Sequence, residues 1–338
     1  MSLGFGLLSA QRRAGESNWS RAYAETLRLT KDAERLGFSS IWTTEHHFVD
    51  DGYMPSLLAV SAAMAAVTET IEIGTGVVLA PLHHPLRLAE DAATVELISG
   101  GRLTLGLGLG WVEIEFEGLG AEMAKRGAAM DEMLRILPQA WSGEPFRHSG
   151  DVYDFPELAV RPTPQRKIPI IVGGGAEVAV RRAARLADGI FANAPVEKFL
   201  KMTEWVLDEL DKADRDPGDF RVMHYSVILP GDSQEEAFER YLPHQWHMMW
   251  KYSDMEASAT RSGPPPEPPP ITDQARNAIR ARSTIAGTAD QIVEELLEVR
   301  QKAALEVEFA ARSYFHTLPY EEQLELMEEL ATDVAPHL

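Results

Sequence analysis

Between Ser39 and Phe48 the chain reads Ser-Ser-Ile-Trp-Thr-Thr-Glu-His-His-Phe, a β-branched and aromatic stretch that runs straight into a carboxylate and two imidazoles. Ile41, Trp42 and Thr43 have strand character, and the helical spacing from Tyr23 to Gly37 ends in a glycine stop, so a strand follows a helix. Titratable side chains massed just beyond the C-terminal end of a strand are where α/β enzymes place their chemistry. Imidazole both takes and gives a proton near neutral pH, so general acid–base work is the chemistry that this cluster offers. The plainer alternative is that Glu45 caps a turn and a histidine packs against the rim.

Glycines supply the second signal. Ile170-Ile-Val-Gly-Gly-Gly-Ala176 reads as a strand ending in Gly173, Gly174 and Gly175 before a helix. Glycine lets backbone approach a ligand closely, and free N–H groups at a helix start receive anions, so this loop is a candidate phosphate site. A tight turn alone would need one glycine. Gly76, inside Gly74-Thr-Gly-Val77, predicts a bulge or the close approach of a flat ligand. In Leu105-Gly-Leu-Gly-Leu-Gly-Trp111 the alternation puts Gly106, Gly108 and Gly110 on one face, predicting a slot floored by backbone. The spacing is not that of a dinucleotide-binding GxGxxG turn. A slot between glycine-lined strand ends beside a phosphate loop suits a planar aromatic cofactor with a phosphate tail, a description that flavin mononucleotide (FMN) meets. Trp111, Asn193, His224 and Arg312 end other strands and are candidate substrate contacts, against ordinary rim packing. No metal is expected: His83 and His84 are adjacent and should point apart, Pro85 starts a helix, and strand one lacks an HxH pair.

These side chains need a scaffold. Strands are predicted at Leu3–Leu8, Ser39–Thr43, Ile71–Leu79, Leu103–Leu107, Ile168–Val172, Gly189–Ala192, Phe220–Ile228 and Val307–Ser313. Helices are predicted at Trp19–Leu36, Pro55–Ala66, Pro85–Ile98, Ala121–Trp141, Glu177–Ala187, Val196–Ala213, Thr288–Ala303 and Pro319–Ala335. Strict alternation with nearly continuous apolar strands predicts a single (β/α)8 TIM barrel over residues 1–338. The rival doubly wound sheet would show a Gly-rich turn after strand one, where Leu8-Ser-Ala-Gln-Arg12 has none. Two inserts break the rhythm: 144–167, a proline-rich excursion before strand five, and 230–283 after strand seven. The second holds an aromatic-rich run from Phe238 to Tyr252 and the polyproline tract Pro264–Pro270. Lying at the catalytic end, it is expected to be a mobile lid. Its Trp246, Met248, Met249 and Trp250 predict either an apolar part of the pocket or packing of the insert onto the barrel.

Composition narrows the class. The 338 residues contain no cysteine, which excludes disulfides, thiolate metal sites and a cysteine nucleophile. A net charge of −20 argues against nucleic acid, and the densest basic cluster, Arg181, Arg182 and Arg185, sits on one predicted helix. No apolar run approaches the ~18 residues of a membrane span, and no secretory signal is visible, so the cytoplasm is the expected compartment.

The motifs Trp42-Thr-Thr-Glu-His-His-Phe48, Ile73-Gly-Thr-Gly-Val-Val-Leu79, His84-Pro-Leu-Arg-Leu-Ala-Glu-Asp91, Gly100-Gly-Arg-Leu-Thr-Leu-Gly106 and Met327 to Pro336 resemble the bacterial luciferase-like flavin monooxygenases, nearly end to end and in order. The resemblance implies a (β/α)8 barrel, usually dimeric, that binds reduced flavin at its C-terminal mouth. It implies His46 as the proton-transfer residue, with Glu45 as its orienting partner. It implies a non-proline cis peptide at Gly76–Val77 under the ring, and phosphate contacts at Gly174, Gly175 and Ala176. Reduced FMN from a separate flavin reductase would react with O2 to a flavin hydroperoxide that oxidises a small organic substrate. One departure stands out: luciferase carries a Cys-Arg pair at the end of strand four, where Gly108 and Leu109 stand here, so a ring-facing side chain and a cationic phosphate contact are missing. A related branch uses an 8-hydroxy-5-deazaflavin coenzyme for hydride transfer without O2, with Asp-His more often in strand two; Glu-His-His-Phe favours FMN. A non-catalytic flavin-binding protein is the third alternative, against which His46 and the predicted lid argue.

Overall fold

In the computed structural model β1 (Leu3–Leu8) lies in the middle of a ring of parallel strands, paired to one side with β2 (Ser40–Thr43) and to the other with the last strand of the chain. The structure describes residues 3–282 and 284–338; Met1, Ser2 and Ser283, the last residue of the expected insert, lie outside them. Between β1 and β2 runs α1 (Trp19–Leu36), started by the Asn18 side chain accepting from the Ser20 N–H and stopped by Gly37 in the left-handed region.

The chain continues through α2 (Leu57–Ala66) to β3 (Glu72–Thr75) and β4 (Val78–Leu79). The single strand expected over Ile71–Leu79 is thus broken at Gly76–Val77, whose peptide is cis; Gly6–Leu7 is also cis. After α3 (Pro85–Ser99) and β5 (Leu103–Gly108) come α4 (Glu113–Leu119), which the sequence pattern did not reveal, and α5 (Arg126–Trp141). The 144–167 excursion contains an antiparallel hairpin, β6 (Phe146–Ser149) with β7 (Asp154–Leu158). Then follow β8 (Ile170–Gly173), α6 (Glu177–Leu186), β9 (Gly189–Ala192), α7 (Val196–Lys212) and β10 (Arg221–Pro230).

The second insert is largely helical: α8 (Gln234–Ser258) carries the aromatic and methionine run, and α9 (Asp273–Arg280) follows the proline tract. It returns through β11 (Thr284–Gly287), an extra strand paired with the outer half of β10, and α10 (Ala289–Lys302). The eighth barrel strand, β12 (Glu308–Arg312), pairs with β10 and with β1, closing the ring, and α11 (Tyr320–Glu329) packs outside it. Eight parallel strands, with β4 prolonging the third, therefore form a closed (β/α)8 barrel. No helix among the described residues is long and apolar enough to cross a membrane.

Inside the barrel, Trp42 stacks on Phe191 and Phe191 on Tyr225, with ring centroids 4.7 and 4.1 Å apart. Room for the indole comes from Gly74, where a Cβ would lie 2.2 Å from Trp42 Cε3. At the opposite end from the strand tips, Arg221 bonds Glu308 (2.7 and 2.8 Å), Glu72 (3.2 Å) and Thr104 (3.1 Å). This polar plug ties four strands together below a packed aromatic layer, so the usable space is at the C-terminal mouth.

Candidate active site

A cavity of about 420 Å³ opens at that mouth, within the ~300–1,000 Å³ typical of small-molecule sites. His46, at the end of β2, borders it and is almost fully buried. Its Nδ1 lies 2.9 Å from Oε1 of Glu115, on α4, which also accepts from the His47 N–H at 2.7 Å. A carboxylate at Nδ1 fixes the imidazole with its proton on that nitrogen and leaves Nε2 for the cavity. Glu115 is wholly buried, and its Oε2 has no hydrogen-bond partner among the described residues.

Glu45 does not orient His46. Its Oε1 accepts from Nε2 of His47 and Nε2 of His83, each at 2.9 Å, and its Oε2 from the Leu79 N–H at 2.6 Å. Burial alone would raise the carboxyl, but these imidazole partners hold it down at about 2, and the same contact raises His83. The reason is directional: successive residues leaving β2 alternate, so Glu45 and His46 face different neighbours. Ligand atoms of Glu45, His47 and His83 lie within 4.8 Å of one another, a set that a divalent ion could use. Hydrogen bonding among the three already accounts for their geometry.

Gly76, Val77, Gly108, Gly110, Gly173, Gly174, Gly175 and Ala176 all line the cavity, as do Trp111 and Arg312. The alternating glycines owe their size to something other than an open slot. A Cβ on Gly106 would sit 1.9 Å from the Thr75 carbonyl oxygen, and one on Gly108 would sit 2.3 Å from Val77 Cγ2. They admit the broken β3–β4 strand and the Val77 side chain, and only Gly110, at φ 73°, turns the chain at the rim. Around Gly175, by contrast, a Cβ would meet nothing nearer than Lys198 Nζ at 3.5 Å. That open loop at the start of α6 has backbone N–H groups and a cation beside it, which fits a phosphate.

Two expected substrate contacts lie elsewhere. His224 points out of the barrel wall, with Nε2 3.1 Å from the Ala194 carbonyl and its ring against Phe199, and burial pushes its pKa down to about 4. Its neighbour Tyr225 takes the inward position, because side chains alternate along β10. Asn193 is exposed, donates to the Tyr225 carbonyl at 2.7 Å and does not line the cavity.

Helix α8 contributes Met248, Met249 and Tyr252 to the cavity. Tyr252 accepts from Arg312 at 3.0 Å, its hydroxyl lies 3.2 Å from that of Tyr53, and its ring centroid lies 5.6 Å from that of His46. The helix is held to the His46 loop by Lys251, buried against Asp50 and Asp254, with Arg261 on the same two carboxylates. Glu115, Tyr225, Tyr252 and Lys198 were not legible as site residues, since each lies in an element or on a face that only the closed barrel defines.

Comparisons with known proteins bear on this arrangement. The model of the luciferase-like monooxygenase family matches residues 3–306. The chain is 32% identical over 156 residues to the oxygenase component of a flavin-dependent trigonelline monooxygenase of Acinetobacter baylyi, covering 46% of this chain and 43% of that protein. It is 30% identical over 185 residues to an F420-dependent glucose-6-phosphate dehydrogenase of Microbacterium testaceum, covering 53% and 55%. The matched regions thus span about half the length of these curated relatives. The crystal structure of the monooxygenase RslO1 of Streptomyces bottropensis superposes with a TM-score of 0.84 at 24% identity, over 100% of this chain and 99% of that one, a likeness of fold. On the family match and the closed barrel together, the chain belongs to the luciferase-like monooxygenase family.

Proposed function

We propose that this protein is the oxygenase component of a two-component flavin monooxygenase, using reduced FMN and O2 to oxidise a small organic substrate. The observation that carries the reading is the His46–Glu115 pair at a cavity bordered by the Gly173–Ala176 loop. Reduced FMN would supply the electrons that activate O2, delivered by a separate flavin reductase. The loop N–H groups and Lys198 would hold its phosphate in place of the arginine missing at Leu109. Gly76, Val77, Gly108 and Gly110 would border the ring. Met248, Met249, Trp111 and Tyr252 would keep water from the reacting centre, and His46 Nε2 would hand over or take up the single proton.

The second reading, hydride transfer on a deazaflavin, is favoured by the F420-dependent relative. The Glu-His-His-Phe form of the strand-two motif supports FMN over it. Anaerobic titration with reduced FMN and with reduced deazaflavin decides between them: submicromolar binding of FMN with O2 uptake on mixing is expected, and binding of the deazaflavin alone would overturn the reading.

A homodimer is part of the proposal. Helix α2 is apolar all round apart from Ser61, and Leu58, Ala59, Ala62, Ala63 and Ala66 leave an apolar face incompletely covered. Sedimentation should give twice the chain mass, reduced to one by Ala62→Glu.

A further inference from the structure

Arg312, at the C-terminal end of β12, borders the cavity with one hydrogen bond among the described residues, to Tyr252, at 3.0 Å. Its guanidinium carbon lies 5.6 Å from the Tyr252 ring centroid, with the neutral phenols of Tyr225 and Tyr53 nearby. Among the described residues no carboxylate lies within ion-pair distance of it. The two acids of the site are taken: Glu115 by His46, and Glu45 by His47 and His83. By contrast Arg221, at the closed end of the barrel, has Glu72 and Glu308, and the buried Arg12 spends its donors on the Glu16 and Asp50 carbonyls. Half-buried at the cavity wall and without a carboxylate partner, this cation stands out in a chain of net charge −20.

We propose that Arg312 is a specificity-determining residue that binds the carboxylate of a planar organic acid substrate. The guanidinium fork matches a carboxylate with two parallel N–H···O bonds, and the Tyr252 hydroxyl holds one of its nitrogens in place. The apolar part of the substrate has a complementary wall: Trp111 and Tyr252 lie nearly parallel, at 28° with centroids 6.2 Å apart, and Met248 and Met249 border the same space. The acid end would thus be fixed at Arg312 and the ring carried past His46, whose ring centroid is 6.0 Å from that of Trp111. This inference rests on the flavin reading for what happens next, and it concerns only how the substrate is chosen.

The alternative source of negative charge is the reduced flavin itself, and the test separates the two. The full chain is titrated anaerobically by calorimetry, first with reduced FMN, then with benzoate or its neutral isostere benzamide. Wild type should bind benzoate about tenfold or more tighter than benzamide. Arg312→Met should abolish that preference, Arg312→Lys should keep part of it, and FMN affinity should stay within about twofold in both. Tyr252→Phe, which keeps the charge and loses only its tether, should reduce the preference by a few-fold. Equal binding of benzoate and benzamide, absence of benzoate binding, or a loss of FMN affinity in Arg312→Met as large as the loss for benzoate would each overturn the proposal. Failure of wild type to bind reduced FMN would instead sink the flavin reading, and the benzoate–benzamide comparison on the FMN-free protein would still decide the role of Arg312.

Discussion

His46 Nδ1 lies 2.9 Å from Oε1 of Glu115, a carboxylate 69 residues further along the chain, on the short helix that follows β5. The pair, and not the adjacent Glu45, sets the tautomer of the imidazole. If His46 moves the proton, His46→Ala should lower kcat roughly 10²–10⁴-fold, with little change in FMN affinity. Glu115→Gln, which keeps the shape and loses the charge, should lower kcat about 10–100-fold and move the pH profile. Steady-state O2 consumption against pH checks both. Glu45→Gln is the control: it should lower thermal stability more than it lowers turnover.

Lys251 is buried with Asp50 and Asp254, and its Nζ is 3.8 Å from Asp51, whose carboxyl burial pushes up to about 6. Removing the ammonium leaves the Asp50 and Asp254 carboxylates leaning on Arg261 alone and takes from Asp51 the cation 3.8 Å away. Lys251→Met should cost about 3–5 kcal/mol, read from urea denaturation. Because this cluster ties α8 to the loop that follows His46, turnover should fall along with stability.

Phosphate binding should divide between backbone and cation. Gly175→Ala meets no heavy atom within 3.4 Å, so it should fold normally while narrowing the loop against the ligand. Lys198→Ala should weaken FMN by roughly two- to five-fold, the value of an exposed charge, and leave riboflavin unaffected. Parallel titrations with the two flavins give the answer.

Acid should destabilise the protein well above the range where most carboxylates titrate. Burial holds His224 at about 4; burial, Lys251 and His244 hold His247 at about 4 as well. Above pH 6.5 both are neutral folded and unfolded, and nothing is lost. As pH falls from 6.5 towards 4 the unfolded chain binds these protons first, so stability drops. Asp51, raised to about 6, works in the opposite direction and offsets one histidine. Buried His316, held well below 6.5, acts in the same direction as His224 and His247, so three histidines against one aspartate leave a net slope of about two protons, ~2.7 kcal/mol per pH unit, measurable as a falling urea midpoint between pH 6 and 4.5. His224→Gln should reduce it by about half.

Short-range order is the part of this protein that is legible in one dimension. Apolar runs of strand length alternating with amphipathic helices specify the barrel, because each βα unit shows its own periodicity. The glycine run after β8 and the Glu-His-His cluster after β2 mark the mouth that holds the cavity, because both signals are confined to a few adjacent residues. Side-chain parity was not readable. His224 and Tyr225 are adjacent in the sequence, and only barrel closure decides that Tyr225 faces the cavity and His224 the helices. Glycines 106 and 108 look like an open floor in one dimension, yet they accommodate Thr75 and Val77 from the neighbouring strand. The partner of His46 lies on a seven-residue helix without an N-cap side chain, and Arg312 reaches Tyr252 from the far end of the chain. Those pairings exist only once the ring closes, because closure brings to one mouth residues that no local pattern connects.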